Sequence, residues 1–119
     1  MTGEHALVVS SREKNNELED ILAGNGLNVT RLETMHQLIG LNHPQKFKIA
    51  LLDLDLPCVN NSRIYSLKQN NPHIWIIGLS SQAYHPHLKE SLREHMFGVL
   101  ASPPDVRELQ YCLTSCLRA

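Results

Sequence analysis

The sequence predicts an open α/β sandwich, a parallel sheet with helices on both faces. Two observations predict it: five short apolar runs alternate with five segments of helical periodicity, and the runs are apolar throughout, as strands buried on both sides are. Each parallel connection needs a crossover, which the helical segments supply.

In order along the chain, "HALVVSS" has the make-up of a buried strand. In "REKNNELEDILAGNG", Leu18, Ile21 and Leu22 recur at helical spacing and the Gly24-Asn25-Gly26 cluster supplies a stop. "LNVTRL" reads as a second strand and "ETMHQLIGLN" as a second helix with Met35, Leu38 and Ile39 on one side. "FKIALLDL" is a third strand, and "NNSRIYSLKQNN" a third helix whose leading asparagines suit capping. After the break at Pro72, "HIWIIGLS" is a fourth strand. "YHPHLKESLREHM" predicts helix from about Pro86, "FGVLAS" a fifth strand, and "PDVRELQYCLTSCLRA" a last helix with Pro104 near its first turn.

The totals bound the function. At 119 residues the chain is expected to be one domain, 1–119. With 11 basic and 12 acidic side chains and no long charge run, it lacks the basic footprint of direct nucleic-acid binding. The longest apolar stretch, "IWIIGL", is far short of the ~20 residues a membrane span needs. The start lacks the basic flank and apolar region of a signal peptide, so a cytoplasmic location is expected. Cys58, Cys112 and Cys116 contain no CxxC and read as reduced thiols. Cys112 and Cys116 share a helical face with Leu109 and Leu113, which points to packing over metal binding.

In sheets of this kind the ligand crevice lies beyond the carboxyl ends of the strands, where strand order reverses. The residues to inspect are Ser10, Ser11, Asp53 to Pro57, Ser80, Ser81, Ser102 and Pro103. Alternation along a strand sends residues two apart to the same side, so Asp53 and Asp55 are expected to face one crevice. His85 and His87 in "HPH" flank a proline and have no nearby Cys or acid at ligand spacing, so no metal site is assigned and a solvated loop is expected.

Three of these segments carry a resemblance. "IALLDLDLP" followed by "CVNN", "IIGLSS" and "MFGVLASPP" resemble, in order and spacing, the third, fourth and fifth strands of CheY-like receiver domains, the phosphoacceptor modules of two-component signalling. The resemblance covers nearly the whole chain. It implies a flavodoxin-like three-layer sandwich with strand order 2-1-3-4-5 and five helices. It also implies Asp53 as the phosphoacceptor position, Ser80 as the switch hydroxyl, and Ser102 to Pro103 as a candidate cis peptide.

The departures from that pattern matter as much. Where a receiver has two acids after its first strand this chain has Ser10 and Ser11, where it has lysine there is Ser102, and where it has the switch aromatic there is Val99. Magnesium takes oxygen ligands in near-octahedral geometry, held by carboxylates and the phosphoryl group together. One charge pair at ~4 Å is on the order of 4 kcal/mol at an effective dielectric near 20, so losing two carboxylates costs magnesium affinity by orders of magnitude. The missing lysine removes the cation that would hold a phosphoryl oxygen. No cofactor is therefore expected. Asp55 is a candidate accessory acid, Ser10-x-x-Glu13 has the pattern of a capping box, and Arg12 is a candidate ion-pair partner for Asp53.

The expectation is thus a degenerate receiver: not an enzyme, but a regulatory module that works by protein contact with impaired phosphorylation. It would be the amino-terminal part of a longer regulator controlling a transcriptional output domain. The resemblance implies a sensor histidine kinase as candidate partner and a homodimer face on the fourth helical segment, fifth strand and last helix, around Leu92, Val99, Val106 and Tyr111. One alternative is a receiver still phosphorylated on Asp53. A more distant one is a haloacid-dehalogenase-like phosphatase, whose DxD motif "LLDLDLP" resembles with Asp53 as nucleophile and Asp55 as general acid, but whose later lysine and downstream acid pair are missing.

Overall fold

In chain order the elements are β1 (His5–Val9), α1 (Arg12–Ala23), β2 (Asn28–Leu32), a 3-10 turn (Met35–Leu38), β3 (Phe47–Asp53), α2 (Asn61–Asn70), β4 (Trp75–Ser80), α3 (Lys89–Glu94), β5 (Met96–Ala101) and α4 (Val106–Arg118). They come from a computed structural model that describes residues 4–38, 47–81, 88–102 and 104–118, with residues 12–15 described by their backbone alone. All five expected strands form, and they pair in parallel in the order β2-β1-β3-β4-β5.

Strand alternation divides the core into two halves, one on each face of the sheet. Leu7, Val9, Ala50, Leu52 and Ile76 pack with Ile64 and Leu67 of α2. Ala6, Val8, Ile49, Leu51, Ile77 and Leu79 pack with Leu18 and Leu22 of α1 and with Leu109, Leu113 and Cys116 of α4. The result is three layers. No helix among the described residues is long and apolar enough to cross a membrane.

Local chemistry sets the element ends. The stop after α1 is a Schellman motif: Gly26 N–H donates to the Ala23 carbonyl at 3.0 Å, Leu27 N–H donates to Leu22 at 3.3 Å, and Gly26 takes φ +80°, which only glycine adopts without cost. Asn60 caps α2 by accepting from Arg63 N–H at 2.9 Å. Asp105 caps α4 by accepting from Arg107 N–H at 2.8 Å, which puts Pro104 just before the cap. The buried Asn71 amide joins α2 to the sheet, accepting from Phe47 N–H at 2.8 Å and donating to the Leu67 carbonyl at 3.0 Å.

Two helical expectations change. The second helix is a 3-10 turn, Met35–Leu38, within the described residues, and Gln37 Oε1 satisfies the amides at its start by accepting from Glu33 N–H (2.7 Å) and Thr34 N–H (3.2 Å). Ile39 lies outside the described residues. The described residues hence hold four α-helices, not five. The fourth helical segment is helical over Lys89–Glu94, while Pro86, His85 and His87 lie outside the described residues.

The edge strand β5 is irregular. Ile76 pairs with Met96 and Ile77 with Gly98, so Phe97 is an extra residue in the ladder, and its ring meets Trp75 edge to face at 5.3 Å. The cysteines are free; Cys116 is buried and Cys112 half-buried beside Leu109 and Leu113. Burial, then the Cys112 thiol, pushes Cys116 from 9.0 up to about 11, against an opposing effect of Lys48, while burial and Glu108 raise Cys112.

These packing details make two predictions. A Cβ added at Gly78 would sit 2.7 Å from Leu54 Cδ1 in the closed core, so Gly78→Ala should lower urea stability by about 1–3 kcal/mol. Combined with Leu54→Ala, which vacates that space, the losses should be less than additive in a double-mutant cycle. The Cys116 thiol holds its proton longer in the folded chain than in the unfolded one, so its contribution is complete below pH 9.0 and lost as pH rises through about 11. Urea titrations across that window should show a steeper decline in the parent than in Cys116→Ala.

Candidate functional site

The sequence-predicted site residues converge at the carboxyl ends of neighbouring strands, where β1 sits between β2 and β3 and strand order reverses. Ser10 follows β1 and extends its ladder, its N–H donating to the Leu32 carbonyl at 3.1 Å. The side chain is fully buried, and its Oγ has no hydrogen-bond partner among the described residues. Ser10 is thus not the helix cap. That position belongs to the half-buried Ser11, whose side chain makes no capping bond, so the Ser10-x-x-Glu13 box does not form. The reason is register: the bond to Leu32 holds Ser10 in the sheet. The Arg12 side chain lies outside what is described, and with it the candidate ion pair to Asp53.

Asp53 is the last residue of β3 and is 2% exposed. Its Oδ1 accepts from Asp55 N–H at 3.0 Å and its carbonyl accepts from Leu56 N–H at 3.2 Å, which curls the following chain into a turn. Asp55, half-buried, engages the next loop over: its Oδ2 accepts from Ser81 N–H at 2.9 Å and from Ser81 Oγ–H at 2.7 Å. The two carboxylates sit two residues apart yet hold different parts of the chain. Ser81 in this role carried no signal in the sequence beyond a serine following a strand, because the partner is 26 residues away.

Ser80 is buried at the end of β4, one residue past the partner of Asp53 in the β3–β4 register. Its carbonyl accepts from Ser102 N–H at 2.9 Å, which brings Ser102 to the same end of the sheet. Pro103, and with it the candidate cis peptide, lies outside the described residues. Val99 pairs with Gly78 and is 45% exposed on β5. Val106 and Tyr111 on α4 are also exposed, and Leu92 on α3 is half-buried.

Chemically, the strand ends carry two carboxylates and, at the neighbouring positions Ser10, Ser11, Ser80 and Ser102, only hydroxyls. Magnesium takes charged oxygens in a fixed octahedron, and this donor set does not fit it, because Ser10 and Ser11 after the first strand are neutral. Among the described residues no group of three or more His, Cys, Asp or Glu is placed to hold a metal ion.

No family sequence model matches the chain, and no curated protein sequence matches it. Solved structures do. A CheY-like response regulator receiver domain protein from Methanospirillum hungatei JF-1 superposes with a TM-score of 0.83 at 18% identity, covering 98% of this chain and 95% of that one. The receiver domain of a sensor histidine kinase from Pseudomonas aeruginosa PAO1, with a magnesium ion coordinated in its active-site cleft, gives 0.79 at 24% identity over 99% and 100%. A LuxR family DNA-binding response regulator from Silicibacter pomeroyi gives 0.73 at 20% identity over 97% and 92%. The fold is that of response-regulator receiver domains.

The orphaned hydroxyl makes a prediction. Leaving a buried donor unpaired carries a desolvation cost, so Ser10→Ala should raise urea stability by about 1 kcal/mol instead of lowering it.

Proposed function

We propose that the chain is a degenerate receiver domain of two-component-type signalling that acts in the cytoplasm through protein contacts. Magnesium-dependent phosphorylation of Asp53 is impaired, and the domain controls a transcriptional output domain. The observation that carries this reading is the charge deficit around a retained acceptor: Asp53 ends β3, while the acid-pair positions are Ser10 and Ser11 and the lysine position is Ser102. A phosphoryl group at Asp53 would arrive with neither metal nor cation to offset its charge. Supporting the contact role, Val99, Val106 and Tyr111 leave apolar surface exposed on β5 and α4, and Tyr111 is 75% exposed. That surface suits a homodimer or an output-domain contact. The similarity in fold to a DNA-binding response regulator supports the transcriptional setting.

A second reading, a receiver still phosphorylated on Asp53, is favoured by the position of that carboxylate at the strand end beside the Ser80 position. Incubation with a small phosphodonor and magnesium, followed by intact-mass measurement, separates the two. We expect a phosphorylated fraction below about a tenth, given the missing carboxylates. A stoichiometric gain abolished by Asp53→Asn overturns the first reading.

A further inference from the structure

A second concave surface lies at the amino-terminal end of the strands, the end away from Asp53. It is an open cleft of about 560 Å³, within the size range of small-molecule sites. Phe47 and Ile74, both buried, and the half-buried Trp75 give it an apolar lining, with Pro72 and His73 exposed on its lip. Trp75 opens β4, and its ring is braced edge to face by Phe97 at 5.3 Å. Two side chains of opposite charge, Glu4 and Lys48, complete the lining, and among the described residues neither forms an ion pair. The sheet slips register twice at this end. His5 pairs with Phe47 and Ala6 with Ile49, so Lys48 is an extra residue in the β1–β3 ladder, as Phe97 is in the β4–β5 ladder. A bulge re-aims the side chain it carries and often adjoins a functional site. Here one bulged residue lines the cleft and the other holds the ring of its tryptophan.

We propose that this cleft binds a small aromatic zwitterion such as an aromatic amino acid. The ligand ring lies against Trp75 and Phe47, where the apolar lining takes it out of water. Lys48 receives the carboxylate and Glu4 the ammonium group, so each rim charge gains a charge-assisted contact that it lacks among the described residues. A ligand with a single charge leaves one rim group unanswered, and selectivity follows from that difference. The site goes beyond the contact role proposed above and uses none of the residues around Asp53.

Trp75 is the single tryptophan of the chain, so its fluorescence reports directly on the cleft. Titration of the 119-residue chain with L-phenylalanine, which stays dark under selective tryptophan excitation, should give a saturable change in emission. Phenylpropionate and phenethylamine each keep the ring and one charge. They should bind at least about tenfold more weakly, the scale of losing one hydrogen bond to a charged group. Glu4→Gln and Lys48→Met should each weaken L-phenylalanine binding by about the same factor. Glu4 is exposed and precedes β1, so Glu4→Gln keeps the fold and carries the test if Lys48→Met does not fold. A signal that does not saturate, equal affinity for all three probes, or parental affinity in Glu4→Gln overturns the proposal.

Discussion

The middle of a parallel sheet covered on both faces leaves no place for an unpaired charge, and the arrangement of this protein follows from that constraint. β3 is buried at Ile49, Ala50, Leu51 and Leu52, and its carboxylate is tolerated only at Asp53, where the strand ends and backbone N–H groups become available. The same holds for β1 and β4, which stay apolar until Ser10 and Ser80. Polar residues are thereby gathered at one end of the sheet by burial alone, before any function acts on them.

What burial gathers, composition then weakens. Ser10, Ser11 and Ser102 are among the gathered positions, and a hydroxyl neither brings charge for a metal nor offsets that of a phosphoryl group. The shape of this end of the sheet comes from the strands, whereas the chemistry open to it depends on a few side chains. Ser10 shows this most plainly: it occupies a fully buried place at the strand end and its Oγ meets no partner among the described residues.

Most of the fold was legible in the sequence because it rests on local pattern. The apolar runs located all five strands, Asn60 and the Gly24-Asn25-Gly26 cluster located helix ends, and the cysteines at 112 and 116 read correctly as packing. The differences lie where local bonds and pattern meet. Met35 and Leu38 have helical spacing, and the described residues hold one 3-10 turn there, with Gln37 turned back on Glu33 and Thr34 at its start. Ser10-x-x-Glu13 has the letters of a capping box, but ladder pairing with Leu32 took Ser10 first. The apolar runs placed Asp53 and Ser80 at strand ends and Ser102 just past one, as found, whereas the partner of Asp55 was not readable, since Ser81 meets it only after the chain has crossed the sheet.

The extra residue at Phe97 has a consequence for how anything meets this protein. An outer strand with a regular ladder is an invitation to add another strand by main-chain pairing. Here the ladder slips between Met96 and Gly98, so the free edge of β5 presents its donors and acceptors out of step. A companion laid along it finds a regular row of backbone groups only from Gly98 to Ala101. So short a row limits what main-chain pairing alone could hold, and exposed side chains such as Val99 would have to select a companion by shape where a longer bare edge would accept almost any extended chain.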